Sequence, residues 1–109
     1  MTYSETIDKR ITHITRKWKN TGTRKMFGGV CHLLNGNMFC GVYKDFLILR
    51  LGEAAAGRAL KRPFVKPFDI TGKPMKGWVM VAPAGIAEED ALNDWLNQAR
   101  GFVSGLPSK

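Results

Sequence analysis

Apolar residues recur at helical spacing near both ends of the chain. Over residues 4–19 they lie three or four positions apart and share one helix face: Ile7, Ile11, Ile14 and Trp18. Ser4, or Thr2 together with Glu5, is placed to cap this helix. Residues 88–104 carry a broader apolar stripe that begins with an acidic run, and residues 53–61 predict a third, short helix.

The middle of the chain predicts β-structure. Residues 25–51 are typical of three strands joined by turns at Asn35-Gly36 and Lys44-Asp45, because an Asn-Gly pair between apolar runs is a strong hairpin signal. Residues 68–70 and 77–82 predict a second hairpin. Residues 1–109 therefore predict one α+β domain, with helices packed on an antiparallel five-stranded sheet in the order α-β-β-β-α-β-β-α.

Both cysteines lie in the first hairpin. A two-residue loop at Asn35-Gly36 would make Cys31 and Cys40 direct cross-strand neighbours, at a separation that permits a disulfide. The second turn places them on an uncharged face that we expect the helices to cover, together with Phe27, Leu33, Met38, Val42, Leu47, Leu49 and Leu51. We therefore predict that both thiols are reduced core residues.

The opposite face of the predicted sheet is unusually apolar. An antiparallel sheet that faces water should be mostly polar on that side. Here the face carries an aromatic and aliphatic patch, Phe39, Tyr43, Phe46 and Ile48. A contiguous exposed apolar patch marks an interface, so we predict a homodimer or a protein-partner face. The alternative is that a helix or the proline-rich segment covers it.

The net charge of +8 changes the range of expected partners, because a basic surface favours acidic ones. The candidate contacts for an anion or a nucleic acid are Arg24, Lys25, Arg62, Lys66, Lys73 and Lys76. No helix-turn-helix, OB-fold or RNA-binding signature accompanies them, so nucleic acid is not the favoured partner. No apolar run is long enough for a membrane span and no secretory signal is evident, which favours a cytoplasmic location and no membrane partner.

No group of residues suggests catalysis. The serines lie near the chain ends, without a histidine and an acid in a triad pattern. Gly28-Gly29 lacks the spacing of a phosphate-binding loop. His32 should point away from both cysteines, and His13 belongs to a helix, so four metal ligands do not converge. We predict a protein that is not an enzyme, with no catalytic residue, no metal and no cofactor.

Four separated motifs carry a family resemblance: "RKMFGG", "NGNMFCGV", "RPFVKPFDITGKPMKGWVMVAP" and "EEDALNDWL". In this order they resemble the N-terminal domain of the TfoX/Sxy family, over about residues 24–106. The resemblance implies an α+β fold related in topology to type III secretion chaperones. We expect a standalone N-terminal domain, without the helical C-terminal domain of the longer members. The basic first helix, with Lys9, Arg10, Arg16 and Lys17, departs from the family pattern.

The family takes its name from a bacterial competence regulator that acts with a cyclic-AMP receptor protein at promoters, a role that does not transfer to a lone N-terminal domain. We therefore expect a non-enzymatic binding or regulatory domain that acts through protein–protein contacts with an unidentified partner. The alternative is a basic nucleic-acid-binding accessory protein in transcription or competence regulation. A third functional class that the sequence leaves undecided is a domain that binds a small molecule in a pocket between the sheet and the helices.

Overall fold

A computed structural model describes residues 3–26, 28–69 and 72–108. Phe27, Ile70 and Thr71, which belong to the predicted strands and turn, lie outside the described residues, as does Thr2 of the predicted capping box. The elements in chain order are α1 Glu5–Thr15, β1 Thr21–Met26, β2 Gly29–Leu34, β3 Asn37–Tyr43, β4 Phe46–Arg50, α2 Glu53–Ala59, β5 Val65–Pro67, β6 Trp78–Val81, a 3-10 helix Pro83–Ile86 and α3 Glu89–Val103.

The α+β class and the three predicted helices are confirmed, with small changes at their ends. Ser4 caps α1, because its side-chain oxygen accepts a hydrogen bond from the backbone N–H of Ile7 at 3.3 Å. The helix ends at Thr15, and the Trp18 N–H donates to the Thr15 carbonyl at 2.8 Å. The chain therefore turns before Trp18, which still packs against the core.

The described sheet has six strands, so the predicted five-stranded sheet and its element order are one strand short. The order across the sheet is β1-β2-β3-β4-β6-β5, and all neighbours are antiparallel. The missed strand is β1, a polar edge strand without apolar alternation. The last hairpin also begins earlier than predicted, because β5 ends at Pro67, a residue that an edge strand tolerates.

All three helices contribute to a core on one face of the sheet. Its fully buried side chains include Ile11 of α1, Trp95 and Leu96 of α3, and the sheet residues Leu47, Leu49, Val79 and Val81. Two polar contacts tie the outer elements to this layer. The His32 ring Nε2 donates to Asp8 Oδ1 of α1 at 2.7 Å, and Asn37 Nδ2 donates to the Pro107 carbonyl at 2.9 Å.

One extra residue in β3 changes which side chains face the helices. The Asn35-Gly36 turn is the predicted two-residue loop, and it pairs Leu34 with Asn37. The register then shifts, because Leu33 pairs with Met38 whereas His32 pairs with Cys40. Phe39 is left unpaired in a β-bulge, and the consecutive side chains of Phe39 and Cys40 both point towards the helices.

The bulge overturns several predictions from the sequence, and Leu33 and Met38 face away from the helices instead of towards them. Phe39 is fully buried under the helices, with its ring 5.5 Å from that of Trp18, and does not belong to the opposite face. Cys31 pairs with Gly41 rather than with Cys40, so the two cysteines lie on opposite faces. His32 shares its face with Cys40, because the two are cross-strand partners.

The bulge predicts a clear order of stability effects for two phenylalanines. Phe39→Ala should lower the free energy of unfolding by about 3–5 kcal/mol, because it empties a fully enclosed site. Phe46→Ala, at a half-buried position, should cost about 1–2 kcal/mol. Urea denaturation of both variants measures the difference. Equal costs, or a larger cost at Phe46, would contradict the assignment of Phe39 to the core.

Candidate functional site

The side of the sheet opposite the helices is here called the open face. Cross-strand partners share a face, so the register identifies its residues. One row runs Arg24, Cys31, Gly41, Ile48, Met80 and Lys66, and parallel rows add Leu33 with Met38, Tyr43 with Phe46, and Arg50 with Trp78. Tyr43, Phe46 and Ile48 of the predicted patch therefore lie together on this face, and Phe39 does not.

A small second core lies at the centre of the open face. Ile48, Met80 and Phe68 are buried there. Phe68 follows β5, and its ring lies 5.7 Å from that of Trp78, so the proline-rich segment covers the centre of the face, which agrees in part with the alternative interpretation. Within the described residues this cluster contains no helix residue. Its partly exposed rim consists of Met38, Tyr43, Phe46 and Trp78.

Gly41 lets the Met38 side chain lie across the sheet. A Cβ at position 41 would stand 2.8 Å from Met38 Cε and 2.7 Å from the Val30 carbonyl oxygen, closer than side chains tolerate. Met38 can therefore fold over its own strand and join the apolar rim. A flexible thioether at such a position adapts to the shape of whatever packs against it.

Basic side chains stand over the aromatic rings of the rim. Lys66 Nζ lies 4.4 Å from the Phe46 ring centroid, and Arg50 Cζ lies 5.3 Å from that of Trp78. Lys44, in the turn after β3, places its Nζ 5.5 Å from the Tyr43 ring centroid. The open face is thus apolar at its centre and cationic around it, with contacts that cation–π attraction stabilises.

The six basic residues predicted to contact an anion do not form one site. Arg24 and Lys66 reach the open face from the two opposite edges of the sheet. Arg62 lies on the helix side, where its guanidinium stands 4.2 Å from the Trp95 ring centroid. Lys25 alternates away from Arg24 along β1, and Lys73 and Lys76 occupy the exposed loop before β6.

Sequence reasoning missed several residues of the open face, because they arrive through long-range pairing or through the bulge. Trp78 and Met80 alternate with Val79 and Val81, which does indicate two faces of a strand. The pairing of β6 with β4, however, follows no hairpin rule and was not predictable from local sequence. Met38 was placed on the wrong side by the same bulge that misplaced Phe39.

A groove of about 310 Å³ adjoins the open face at Trp78. It runs between α2 and the loop before β6, and its walls are mainly apolar, including Leu60, Pro67 and Met75. Glu53 and Lys76 are its charged lining residues. Across residues 3–26, 28–69 and 72–108, no three His, Cys, Asp or Glu side chains are grouped so that they could hold a metal ion.

Both cysteines are buried, as predicted, but their environments differ. Burial raises the pKa of the Cys31 thiol, and the nearby Arg24 partly opposes this change. Burial raises the pKa of the Cys40 thiol much further, and the neighbouring Cys31 and Asp8 add to it. Thiolate is the reactive form, so neither site favours nucleophilic chemistry at neutral pH.

Comparison with protein-family models matched residues 13–102 to the TfoX N-terminal domain. The chain belongs to the TfoX N-terminal domain family. The matched range contains all six described strands of the TfoX domain, its open face and nearly all of α3. Comparisons with curated proteins and with solved structures gave no match. No helix in the described part of this TfoX domain is long and apolar enough to cross a membrane.

The two cysteines should react with thiol reagents at different rates. Labelling of the native protein should be slower than in denaturant by orders of magnitude, because it requires local opening. Cys31→Ala, which leaves Cys40 alone, should label more slowly than Cys40→Ala, since the Cys40 thiol is enclosed by the helices and has the higher pKa. Ellman titration at several pH values measures both rates. Fast labelling of native Cys40 would contradict its place in the core.

Proposed function

We propose that this TfoX N-terminal domain is a non-enzymatic binding domain that recognises a protein through its open face. The observation that carries the proposal is an apolar rim, Met38, Tyr43, Phe46 and Trp78, on a sheet face without helix cover in the described residues. A regulatory role agrees with the family. A cytoplasmic location, where buried thiols stay reduced, is part of the same proposal.

The size of the rim limits the strength of such a complex. The four partly exposed side chains would lose on the order of a few hundred Å² of apolar surface, at roughly 25 cal/mol per Å². Association costs several kcal/mol in lost freedom, so the rim alone supports only weak binding. Charged contacts around the rim would therefore have to contribute to any stable complex.

Phe46→Asp tests whether the open face binds protein. The side chain is half-buried and outside the helix-covered core, so the variant should stay folded. It should lose the proteins that the wild-type chain retains from a lysate of its source cells, as measured by quantitative mass spectrometry. Phe64→Asp is the matched control, because Phe64 is 55% exposed and lies outside the open-face cluster. If Phe46→Asp retains the same proteins as the control variant, the proposal is wrong.

Self-association through the open face stays a prediction, and sedimentation velocity tests it. A concentration-dependent dimer that Phe46→Asp dissociates and Phe64→Asp leaves intact would identify the partner as a second copy. If the chain is a monomer at all concentrations, the partner of the open face is a different protein.

Single-stranded nucleic acid is the second candidate, favoured by cations and aromatic rings on one sheet face. Such binding releases counterions, so its affinity must fall steeply with salt. DNA and RNA oligonucleotides, single-stranded and duplex, should be titrated at about 50 and 200 mM salt. We expect either no binding or weak binding that disappears at the higher salt. Tight binding that survives at the higher salt and is lost in Phe46→Asp would favour nucleic acid over protein.

A further inference from the structure

The geometry points to an acidic amphipathic α-helix of a partner protein as the occupant of the open face. This inference rests on the proposed function, since it names the chemistry of the protein that the face would bind. It follows from the shape of the apolar surface, the sign of the charges around it and the positions of those charges over the rings.

A helix suits the shape of the open face. Apolar side chains of four adjacent strands, β2, β3, β4 and β6, form one surface with Phe68, which packs over Ile48 and Met80, and this surface is flanked by Arg24 on β1 and Lys66 on β5. Three strand spacings of about 4.8 Å make this apolar surface roughly 14 Å wide. An α-helix with its side chains is about 10–12 Å across, and its backbone hydrogen bonds are already satisfied. One helix therefore fits where an extended segment would leave backbone groups unpaired.

The charges on the open face have one sign. Among the described strand residues on this face, the charged ones are Arg24, Arg50 and Lys66, all of them basic. The nearest carboxylates in sequence, Asp45, Glu53 and Asp69, lie in a turn, at the start of α2 and after β5 rather than on the strands. Complementary charge is what distinguishes partners at an interface, so the helix should carry acidic residues beside its apolar stripe.

The same charges oppose two other occupants. Two copies packed through their open faces would bring the basic residues of one copy towards the basic residues of the other, which like-charge repulsion disfavours. Nucleobases would need the ring faces of Phe46 and Trp78, but Lys66 and Arg50 already stand over these rings. An acidic helix avoids both problems. Its carboxylates attract Arg50 and Lys66, and they can pair with these cations without displacing them from the rings.

The rings also hold the cations in place before a partner arrives. A lysine or arginine that is already stacked has less conformational freedom to lose when it forms an ion pair. The stacked positions of Lys66 and Arg50 therefore favour pairing with acidic residues along the sides of the helix.

Two designed peptides test the inference. Each is a helical peptide of about 18 residues with leucines three or four positions apart, flanked by glutamates in one peptide and by lysines in the other. Binding to the full chain is measured by fluorescence anisotropy, and NMR shift changes map the contact. We expect the glutamate peptide to bind, with shifts at Met38, Phe46 and Trp78, and the lysine peptide not to bind.

A double charge reversal makes the test specific. Arg50→Glu with Lys66→Glu should weaken the glutamate peptide by about tenfold or more, since two ion pairs are lost and two repulsions are added. The same variant should gain binding of the lysine peptide. Arg58→Glu with Lys61→Glu is the matched control, because it changes the net charge equally at exposed positions outside the open face. Circular dichroism checks that both variants are folded.

The inference is overturned if the glutamate peptide fails to bind, if both variants weaken it equally, or if the shifts fall on the helix side of the sheet. It is also overturned if the wild type dimerises through Phe46, or if a single-stranded oligonucleotide binds in a way that depends on Arg50 and Lys66. Capture of non-acidic proteins that Phe46→Asp abolishes would leave the proposed function standing while this inference fails. If the wild type and Phe46→Asp capture the same proteins, both the proposed function and this inference fail.

Discussion

Phe39 is the extra residue that lets both halves of β3 direct side chains towards the helices. Asn37 and Phe39 precede the register shift and Cys40 follows it, yet all three are buried on the same side of the sheet. The bulge places the Phe39 ring against Trp18, directly after α1, and it turns His32 of β2 towards Asp8 of α1. The packing of α1 therefore depends on one unpaired residue, and the same residue sends Cys31, Leu33 and Met38 to the open face.

The two faces of the sheet consequently differ in how much of each is covered by other parts of the chain. Side chains from all three helices close one face into a nearly solvent-free core. The other face is closed only at its centre, where Phe68 packs with Ile48 and Met80. Cations over the surrounding rings reduce the exposure of aromatic surface, which would otherwise favour non-specific association. Repulsion between the basic residues of two copies also disfavours non-specific association, whereas an acidic partner would be attracted to the same residues.

Local signals in the sequence predicted the parts of the fold that local interactions determine. Ile7 and Ile11 at helical spacing, the Asn35-Gly36 loop and the Lys44-Asp45 turn all appear where expected. The facing predicted for Cys40 and Val42 is also confirmed, whereas that of Cys31, Leu33 and Met38 is reversed, because the bulge lies between them. A bulge of this kind needs no glycine, so nothing in "NMFCGV" marks it. β1 was missed because a polar edge strand has no alternation, and the contribution of Trp78 to the open face was missed because it depends on the long-range pairing of β6 with β4.

Two polar contacts of the described residues hold elements of the fold together. His32 and Asp8 bind one another across two elements, and Asn37 binds the backbone at Pro107. Burial keeps the pKa of both cysteine thiols raised, so thiolate is scarce. What the domain leaves partly exposed on its sheet is apolar and cationic, a combination suited to packing and ion pairing. Under the proposed function, the positive charges around the open face would limit its partners to proteins that carry acidic residues.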